Sequence, residues 1–279
     1  MFRKFCKALT VVIYIAVFAL PAFGAMSDED FLNLCRSGTA QQVADAIKAG
    51  ANVNAKDDIG MSALMWATVI NKNPAVIKIL LNAGVDVNTK SNGGTTALMA
   101  AKNPEVIKTL LNAGADVNAK SNGGATALMM VVWENKNPEA IKMLLNAGAD
   151  VNDKNNYGRT ALMEAVMAEQ NAEVIKMLLN AGADVKARDK QGMTALDYVL
   201  SRNTEVVKVL ETAALIPIPQ VKRSAERGDA NAQYQLGMMY AKGDVVPEDQ
   251  WEAVVWLKKA AKQGHRDARN ELARRGIYE

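Results

Sequence analysis

The chain has 279 residues, of which 49% are hydrophobic and 23% charged, a composition typical of a globular protein of about two domains. The formal net charge is +3, but the first 24 residues carry three basic and no acidic residues, so the remainder has 30 of each sign. A neutral protein gives no electrostatic reason to expect a nucleic acid or an anionic membrane as partner. Cys35 is the only cysteine beyond that segment, so no intramolecular disulfide is expected.

The first 24 residues resemble a targeting segment. Three basic residues precede an uncharged apolar run of 13 residues, Ala8 to Leu20, which is followed by Pro21 and small residues. This order is typical of a secretory signal peptide. The alternative is a retained membrane anchor, although an anchor needs about 20 apolar residues. We therefore expect an exported protein, periplasmic or secreted, with a membrane tether only if the segment is kept.

A short motif recurs five times between residues 49 and 186. Its common form is Ala-Gly-Ala-Asp-Val-Asn, and its glycines are spaced 34, 30, 34 and 34 residues apart. These glycines are Gly50, Gly84, Gly114, Gly148 and Gly182. A period of this size predicts a stack of similar units, and such stacks mostly present an extended surface to a partner.

Each unit contains two predicted helices. The first starts after a hydroxyl residue, as at Ser62, and the second starts with Asn-Pro, as at Asn73-Pro74. Ser, Thr and Asn side chains satisfy free N–H groups of a first helical turn, and proline is favoured at the first helical position. The other hydroxyl starts are Thr96, Thr126, Thr160 and Thr194. Methionines at 65, 99, 129 and 163 are expected to pack in the core and not to bind a metal or cofactor.

The two helices and their link carry a recognisable motif. Gly-x-Ser/Thr-Ala-Leu-Met-x-Ala, followed by Val-Ile-Lys-x-Leu-Leu-Asn-Ala-Gly-Ala-Asp-Val-Asn, resembles the ankyrin repeat. The resemblance covers residues 27–214 as about six repeats including terminal caps, and it implies a solenoid of helix-turn-helix units with hairpin loops. This chain departs from the family pattern in having Ala for Pro and Met for His, with Asp197 at the histidine position of the last unit.

One unit is four residues shorter than the others. The loss falls between Ala101 and Asn103. It would either cut a notch into the concave wall of the solenoid or change a loop without further effect. We expect the loop change, since solenoids tolerate variation in their loops.

A second module follows the repeats. Two prolines in residues 215–221 predict a linker. A motif ending in Gly228 then recurs 36 residues later, ending in Gly264, and residues 222–279 resemble a Sel-one-like repeat, a relative of the tetratricopeptide helix pair. So few helices do not easily stand alone, and we expect them to dock on the ankyrin repeats. The whole chain is thus predicted to be all-α.

Candidate catalytic groups are few. The only histidine, His265, lies in a turn where the Sel-like family often has one, so a structural role is expected. One histidine and Cys35 cannot form a usual zinc site or a Cys-His pair with a supporting shell, and Cys35 is expected to be buried and inert. The repeated aspartates and the Asn-Gly-Gly segments indicate turns and hairpin tips. We expect no catalytic residues, no metal, no cofactor and no small-molecule substrate.

The ankyrin resemblance implies a protein partner on the concave face, at the hairpin tips and the exposed edges of the first helices. The candidate positions are Ile59, Met61, Thr95, Trp133, Glu134, Tyr157, Arg159, Met167, Gln191 and Met193. Tyr, Trp, Arg and Met are residue types that anchor interfaces. We therefore expect a non-enzymatic protein-interaction module of the bacterial cell envelope. An inhibitor or immunity protein against a toxin or envelope enzyme, and a membrane-tethered scaffold, remain open alternatives.

Overall fold

The computed structural model describes residues 26–134, 137–169, 171–199, 204–216 and 218–277. They belong to two compact units, one ending at Asp86 and the other beginning at Val87. The predicted signal peptide lies outside the described residues. Within these ranges the regular structure is helical, apart from one isolated bridge between Lys56 and Ser62, which confirms the all-α prediction. Among the helices described, none is both long and apolar enough to cross a membrane.

The first unit consists of two helical pairs. Its helices are α1 (Asp28–Ser37), α2 (Ala40–Lys48), α3 (Ala63–Trp66), a π-helix that continues α3 (Ala67–Asn71), and α4 (Pro74–Asn82). α1 packs against α3 and the π-helix, while α2 packs against α4. Phe31, Val43 and Ile77 are fully buried between these helices. Cys35 is also buried, and this burial raises the pKa of its thiol to about 12, consistent with the predicted inert role.

The second unit begins with the remaining ankyrin-like helices. They are α5 (Ala97–Ala100), α6 (Pro104–Asn112), α7 (Ala127–Glu134), α8 (Pro138–Asn146), α9 (Ala161–Met167), α10 (Ala172–Asn180), a 3-10 helix (Leu196–Tyr198) and α11 (Thr204–Leu215). The first helices α5, α7 and α9 pack in one row, and the second helices α6, α8, α10 and α11 pack in another. Leu128 and Ile141 are fully buried, as expected for a core between the two rows.

The predicted hydroxyl caps are confirmed at four of the five starts. The side-chain oxygens of Ser62, Thr96, Thr126 and Thr160 accept hydrogen bonds from the backbone N–H three residues later, at 3.3–3.4 Å. The prediction is wrong at Thr194, whose hydroxyl donates to Asp197 Oδ2 at 2.7 Å. Asp197 stands where the other units have a methionine, and only a three-residue 3-10 helix forms there. The four methionines at 65, 99, 129 and 163 are buried, as predicted.

The shortened unit loses helix and not loop, so the expected loop change is wrong. α5 has four residues, whereas α7 has eight and α9 has seven. Ala101 already has extended backbone angles, and Asn103 caps the next helix two residues later. Lys102, between them, reaches across to Glu134 at the end of α7, with Nζ 2.5 Å from Oε2.

An asparagine ladder joins successive links in the second unit. Asn118 Oδ1 accepts from Asp150 N at 2.8 Å, and its Nδ2 donates to Gly148 O at 3.0 Å. Asn88 and Asn152 make the same pair of hydrogen bonds, each to the repeat that follows it. The repeated aspartates accept the N–H two residues on, as Asp150 does from Asn152 at 2.9 Å. Their predicted turn-forming role is therefore confirmed at 116, 150 and 184.

A second ladder runs along the hairpin tips. Asn122 N donates to Gly93 O at 2.9 Å, and Asn122 Nδ2 donates to Asn92 O at 2.8 Å. Gly94 has φ +75°, and a Cβ there would lie 2.6 Å from Asn122 N, so only glycine fits. The Asn-Gly-Gly segments are tips, as predicted, and their glycines allow neighbouring tips to touch.

The C-terminal helices are α12 (Ile218–Glu226), α13 (Ala230–Lys242), α14 (Gln250–Lys262) and α15 (Arg266–Arg274). α12 begins inside the predicted linker 215–221, so that prediction is wrong from residue 218 onward. Pro219 is the second residue of α12, where a helix needs no N–H donor, and proline therefore does not prevent the helix.

Small residues and His265 shape the Sel-like helices. At Gly237 a Cβ would lie 2.9 Å from Leu257 Cγ, which shows how closely α13 approaches α14. His265 Nδ1 accepts from Ala268 N at 3.3 Å and caps α15, while its ring stacks on Tyr234 with centroids 4.5 Å apart. The structural role predicted for His265 is confirmed.

The Sel-like helices dock on the ankyrin helices of the second unit, as predicted. Lys222 Nζ, on α12, donates to Asn180 O at 2.9 Å and to Asn180 Oδ1 at 3.0 Å. The Tyr240 hydroxyl, on α13, donates to the same Oδ1 at 3.2 Å. Burial lowers the pKa of Lys222 and raises that of Tyr240, so both groups belong to a partly dehydrated junction.

Candidate partner-binding surface

In the first unit a single carboxylate organises the hairpin tip. Asp57 Oδ1 accepts from Ile59 N at 3.1 Å and from Met61 N at 2.9 Å, which positions both predicted binding residues. Asp57 Oδ2 accepts from Trp66 Nε1 at 2.8 Å, and Arg36 Cζ lies 3.9 Å from the Trp66 ring centroid. We call Arg36, Asp57 and Trp66 the Asp57 cluster. Ile59 is 59% exposed, whereas Met61 is partly buried.

In the second unit the tip that carries Tyr157 and Arg159 is organised by Asn155. Asn155 Oδ1 accepts from Tyr157 N at 2.9 Å and from Arg159 N at 3.0 Å. Its Nδ2 donates to Glu164 Oε1 at 2.9 Å. Burial raises the pKa of Glu164, although the nearby Arg159 charge and the Asn155 hydrogen bond oppose this shift. The Tyr157 side chain is 60% exposed.

Arg159 lies close to two aromatic rings. Its Cζ lies 5.3 Å from the centroids of both Tyr157 and Tyr198, within the range of cation–π attraction. The Tyr198 hydroxyl donates to Asp189 Oδ2, and Arg159 Nε lies 4.0 Å from the same oxygen. The Tyr198 hydrogen bond is the main reason why the pKa of Asp189 is lowered and that of Tyr198 is raised. We call Tyr157, Arg159, Asp189 and Tyr198 the Asp189 cluster.

Asp189 also positions two further predicted residues. Its Oδ1 accepts from Gln191 N and Met193 N, both at 2.9 Å. Lys190 N donates to Tyr157 O at 3.0 Å, so this tip is joined directly to the preceding one. The structure therefore brings Tyr157, Arg159, Gln191 and Met193 onto two adjacent tips. Gln191 is exposed and Met193 is partly buried.

The remaining predicted residues lie elsewhere. Trp133, 49% exposed, and Glu134 end α7, while Met167 ends the neighbouring α9 and is partly buried. Thr95 is partly buried on an earlier tip, where its N–H donates to Ser91 Oγ at 3.1 Å. Trp133, Glu134 and Met167 are thus at helix ends, and Glu134 is already paired with a lysine.

Sequence reasoning missed the residues that complete the two clusters. Asp57 is followed nine residues later by Trp66, and Asp189 is followed at the same spacing by Tyr198. Asn155 and Glu164 repeat this spacing and are also hydrogen-bonded. An acidic turn residue with an aromatic side chain nine positions later was therefore the available signal.

A cleft lies between the ankyrin helices and the Sel-like helices of the second unit. Its volume is about 600 Å³, and its walls include Lys142, Met177, Lys222, Tyr240 and Asp249. It is open and mixed in polarity, and the sequence did not predict it. Across the described part of the chain, no group of three or more His, Cys, Asp or Glu side chains could hold a metal ion.

The fold and its tips agree with the comparison to known families. Residues 32–121, 102–189 and 128–215 match ankyrin repeats, and residues 230–265 match the Sel1 repeat. The chain belongs to the ankyrin repeat family and carries a C-terminal Sel1 repeat, which confirms both resemblances. Ankyrin repeats are protein-protein interaction modules, and both families are generally non-enzymatic.

The curated relatives match this chain over limited lengths. The human mitochondrial disaggregase is 43% identical over 61 residues, which are 22% of this chain and 8% of that protein. The chain spans only 8–10% of the length of the curated relatives it matches.

Among solved structures, an ankyrin repeat domain from Acinetobacter baumannii is 28% identical with a TM-score of 0.59, and the alignment covers 67% of this chain and 99% of that one.

A second solved structure is also similar. It contains a predatory endopeptidase from Bdellovibrio bacteriovorus in complex with an immunity protein. The matching chain is 30% identical with a TM-score of 0.57, and the alignment covers 65% of this chain and 96% of that one.

Proposed function

We propose that this protein is an exported, non-enzymatic binder of the bacterial cell envelope that holds a protein partner on its hairpin tips. The observation that carries the proposal is the Asp189 cluster. There, a tyrosine that is 60% exposed stands beside an arginine oriented by two rings. Tyrosine and arginine are enriched among the residues that dominate binding energy, especially when they are fixed in place.

The rigidity of the tips supports the proposal. Backbone and asparagine hydrogen bonds join each tip of the second unit to the next one, for example from Asn156 N to Gly123 O at 2.9 Å. Side chains on such a surface lose little conformational freedom when a partner binds. The surface is therefore pre-organised for recognition.

Capture from envelope extract tests the proposal. The immobilised full-length protein is compared with a Tyr157→Ala, Arg159→Ala double variant and with Trp251→Ala, which removes a side chain that is 71% exposed on α14. We expect the partner to be retained by the wild type and by Trp251→Ala but lost by the double variant. Circular dichroism confirms that all three proteins are folded. Equal capture by the double variant would exclude the tips as the binding surface.

The proposed export is tested separately. Mass spectrometry of the protein from the producing cells should find a mature N-terminus at Ala25. An intact N-terminus would instead support the membrane-tethered scaffold.

A second candidate is an inhibitor or immunity protein, and the similarity to a chain from the endopeptidase and immunity-protein structure favours it. In that case the partner would be an envelope enzyme or toxin. Adding the purified protein to envelope extract should lower the endopeptidase activity of the extract. The Tyr157→Ala, Arg159→Ala variant should leave that activity unchanged. Unchanged activity with both proteins would leave binding without inhibition as the function.

A further inference from the structure

We infer that the partner docks through an Asp or Glu side chain, whose carboxylate is received by Arg159 beside Tyr157. The inference rests on the proposed function, because it specifies the chemistry of the partner at the same tips. It commits to a side-chain carboxylate of a protein and not to a free chain terminus.

The nearest carboxylate leaves the arginine without a full partner. Arg159 Nε is buried with no hydrogen-bond acceptor among the described residues, and Asp189 Oδ2 is 4.0 Å from it, too far for a hydrogen bond. Both oxygens of Asp189 are occupied by other donors: Oδ1 by the N–H groups of Gln191 and Met193, and Oδ2 by Tyr198. Asp189 therefore attracts the guanidinium but does not bond it.

The other neighbouring carboxylate, Glu164, is committed elsewhere. Its Oε1 accepts from Asn155 Nδ2 at 2.9 Å, and the side chain is partly buried. Arg159 thus lies in a site where two carboxylates compensate part of its charge without satisfying its buried Nε–H. A buried N–H donor without an acceptor costs free energy. A carboxylate of the partner, reached by a small shift of the Arg159 side chain, would accept from this donor and remove that cost.

The geometry around Arg159 suits a planar anion. Two aromatic rings lie near the guanidinium, and the Arg159 side chain remains 25% exposed. A guanidinium offers parallel N–H groups that match the two oxygens of a carboxylate. The exposed Tyr157 ring then forms an apolar wall that shields such a pair from water.

The surrounding charge is complementary to an acidic partner. Lys154, Arg188 and Lys190 are exposed on these two tips. The nearby Asp153 is already paired, with its Oδ1 2.6 Å from Lys120 Nζ. The two earlier tips of the same unit carry one basic residue each at the position of Lys154 and Arg188, namely Lys90 and Lys120. Arg159 and Lys190 therefore add positive charge at this end of the tip row, which would steer an acidic segment toward it.

A random peptide library displayed on phage tests the inference with a defined probe. The bait is the full-length protein, and the displayed peptides are fused through their C-termini, so that they present no free terminal carboxylate. We expect enriched sequences to share one Asp or Glu. The best sequence is then synthesised with an amidated C-terminus, with its acid either kept or replaced by Gln or Asn.

The decisive measurement is a double-mutant cycle by calorimetry. Replacing the peptide acid should weaken binding to the wild type about tenfold, and Arg159→Gln should weaken binding of the acidic peptide by a similar factor. On Arg159→Gln the peptide replacement should change affinity less than twofold. Arg159→Lys should recover only part of the loss, because lysine keeps the charge but not the paired N–H geometry. Arg227→Gln, which removes an exposed arginine outside the cluster, should have no effect.

Three outcomes would overturn the inference. These are a consensus without an acid, an equal effect of the peptide replacement on wild type and Arg159→Gln, and a library that yields no enriched peptide over a bait-free control. None of them would contradict the proposed function, which depends on the separate capture of an envelope partner. If the enriched peptides share an acid but the wild-type protein captures no partner from envelope extract, only the proposed function would be contradicted.

Discussion

The Asp57 cluster and the Asp189 cluster are built on the same plan from different residues. In each, one oxygen of an aspartate accepts two backbone N–H groups of the tip. The other oxygen accepts from an aromatic side chain nine residues later, Trp66 or Tyr198. In both clusters an arginine from elsewhere in the same unit stacks on that aromatic ring.

The two arginines differ in what they have left to offer. Arg36 donates through Nη1 to Asn33 Oδ1 at 2.7 Å and through Nη2 to Asp57 Oδ2 at 3.4 Å, while its Nε, like that of Arg159, is buried without an acceptor among the described residues. Arg159 reaches its aspartate only at 4.0 Å and lies beside an exposed tyrosine. The same turn can therefore hold its arginine with or without a hydrogen bond from the guanidinium to the aspartate of the cluster.

The largest effect is expected from breaking the connection between the Tyr157 tip and the Asp189 turn. At Gly158, with φ +80°, a Cβ would lie 2.8 Å from Lys190 N, whereas Gly192 has the same φ and nothing within 4 Å. Gly192→Ala should cost about 1 kcal/mol of unfolding free energy from backbone strain alone. Gly158→Ala should cost about 3 kcal/mol of unfolding free energy, because the hydrogen bond from Lys190 N to Tyr157 O, which joins the two tips, must also break. Urea unfolding measures both, and equal losses would show that the close contact between tips is unimportant.

A smaller loss should follow removal of the carboxylate in the Asp57 cluster. Asp57→Ala leaves the N–H groups of Ile59 and Met61 and the Trp66 indole without their acceptor, and should lower the unfolding free energy by about 2 kcal/mol. Asp57→Asn should lose about half as much, since Asn155 makes the equivalent two bonds in its own turn. If both variants lose the same amount, the charge and not the turn is what stabilises this cluster.

The pH dependence of the Asp189 cluster should be a smaller effect. Because the Tyr198 hydrogen bond lowers the pKa of Asp189 in the folded protein, the ionised carboxylate stabilises the fold at neutral pH. That contribution is lost as the pH falls below about 4 and through the folded pKa. Tyr198→Phe should raise the pKa of Asp189 toward its usual value, as followed by carboxyl NMR, and should make the acid decline of stability shallower. An unchanged pKa would mean that the backbone N–H groups alone set it.

The repeat architecture could be predicted from the sequence because it depends on residues that recur in every copy. The caps, the buried methionines and the turn aspartates each appear several times at fixed spacing, so such a pattern is improbable by chance. The prediction of a hydroxyl cap is wrong at Thr194 because Asp197, which replaces the methionine of the other repeats, accepts a hydrogen bond from the same hydroxyl. The start of α12 at Ile218 is not evident from the sequence because Pro219 suggests a break in the helix, although proline is harmless in a first turn.

The candidate site was only partly predictable for a physical reason. Tyr157 and Arg159 stand out because they interrupt uniform tips, and their exposure could be expected from alignment with the other copies. The environment of Arg159 could not be predicted from the sequence, since it depends on Tyr198 from the degenerate last repeat and on Asp189, whose side chain is buried. Such contacts join positions about 30 to 40 residues apart, and no local pattern of the sequence encodes their distances.

The smallest effect on stability is expected from Tyr157→Ala, and it separates recognition from folding in the Asp189 cluster. The ring is 60% exposed, and Asn155 holds the tip through the backbone N–H of residue 157, which alanine retains. The unfolding free energy should therefore change by no more than about 0.5 kcal/mol, while capture of the partner falls. Trp66→Ala is the matched change in the Asp57 cluster and should destabilise strongly, because Trp66 is partly buried and bonded to Asp57. If Tyr157→Ala destabilised as much as Trp66→Ala, the Tyr157 ring would be part of the scaffold, and both clusters would serve stability alone.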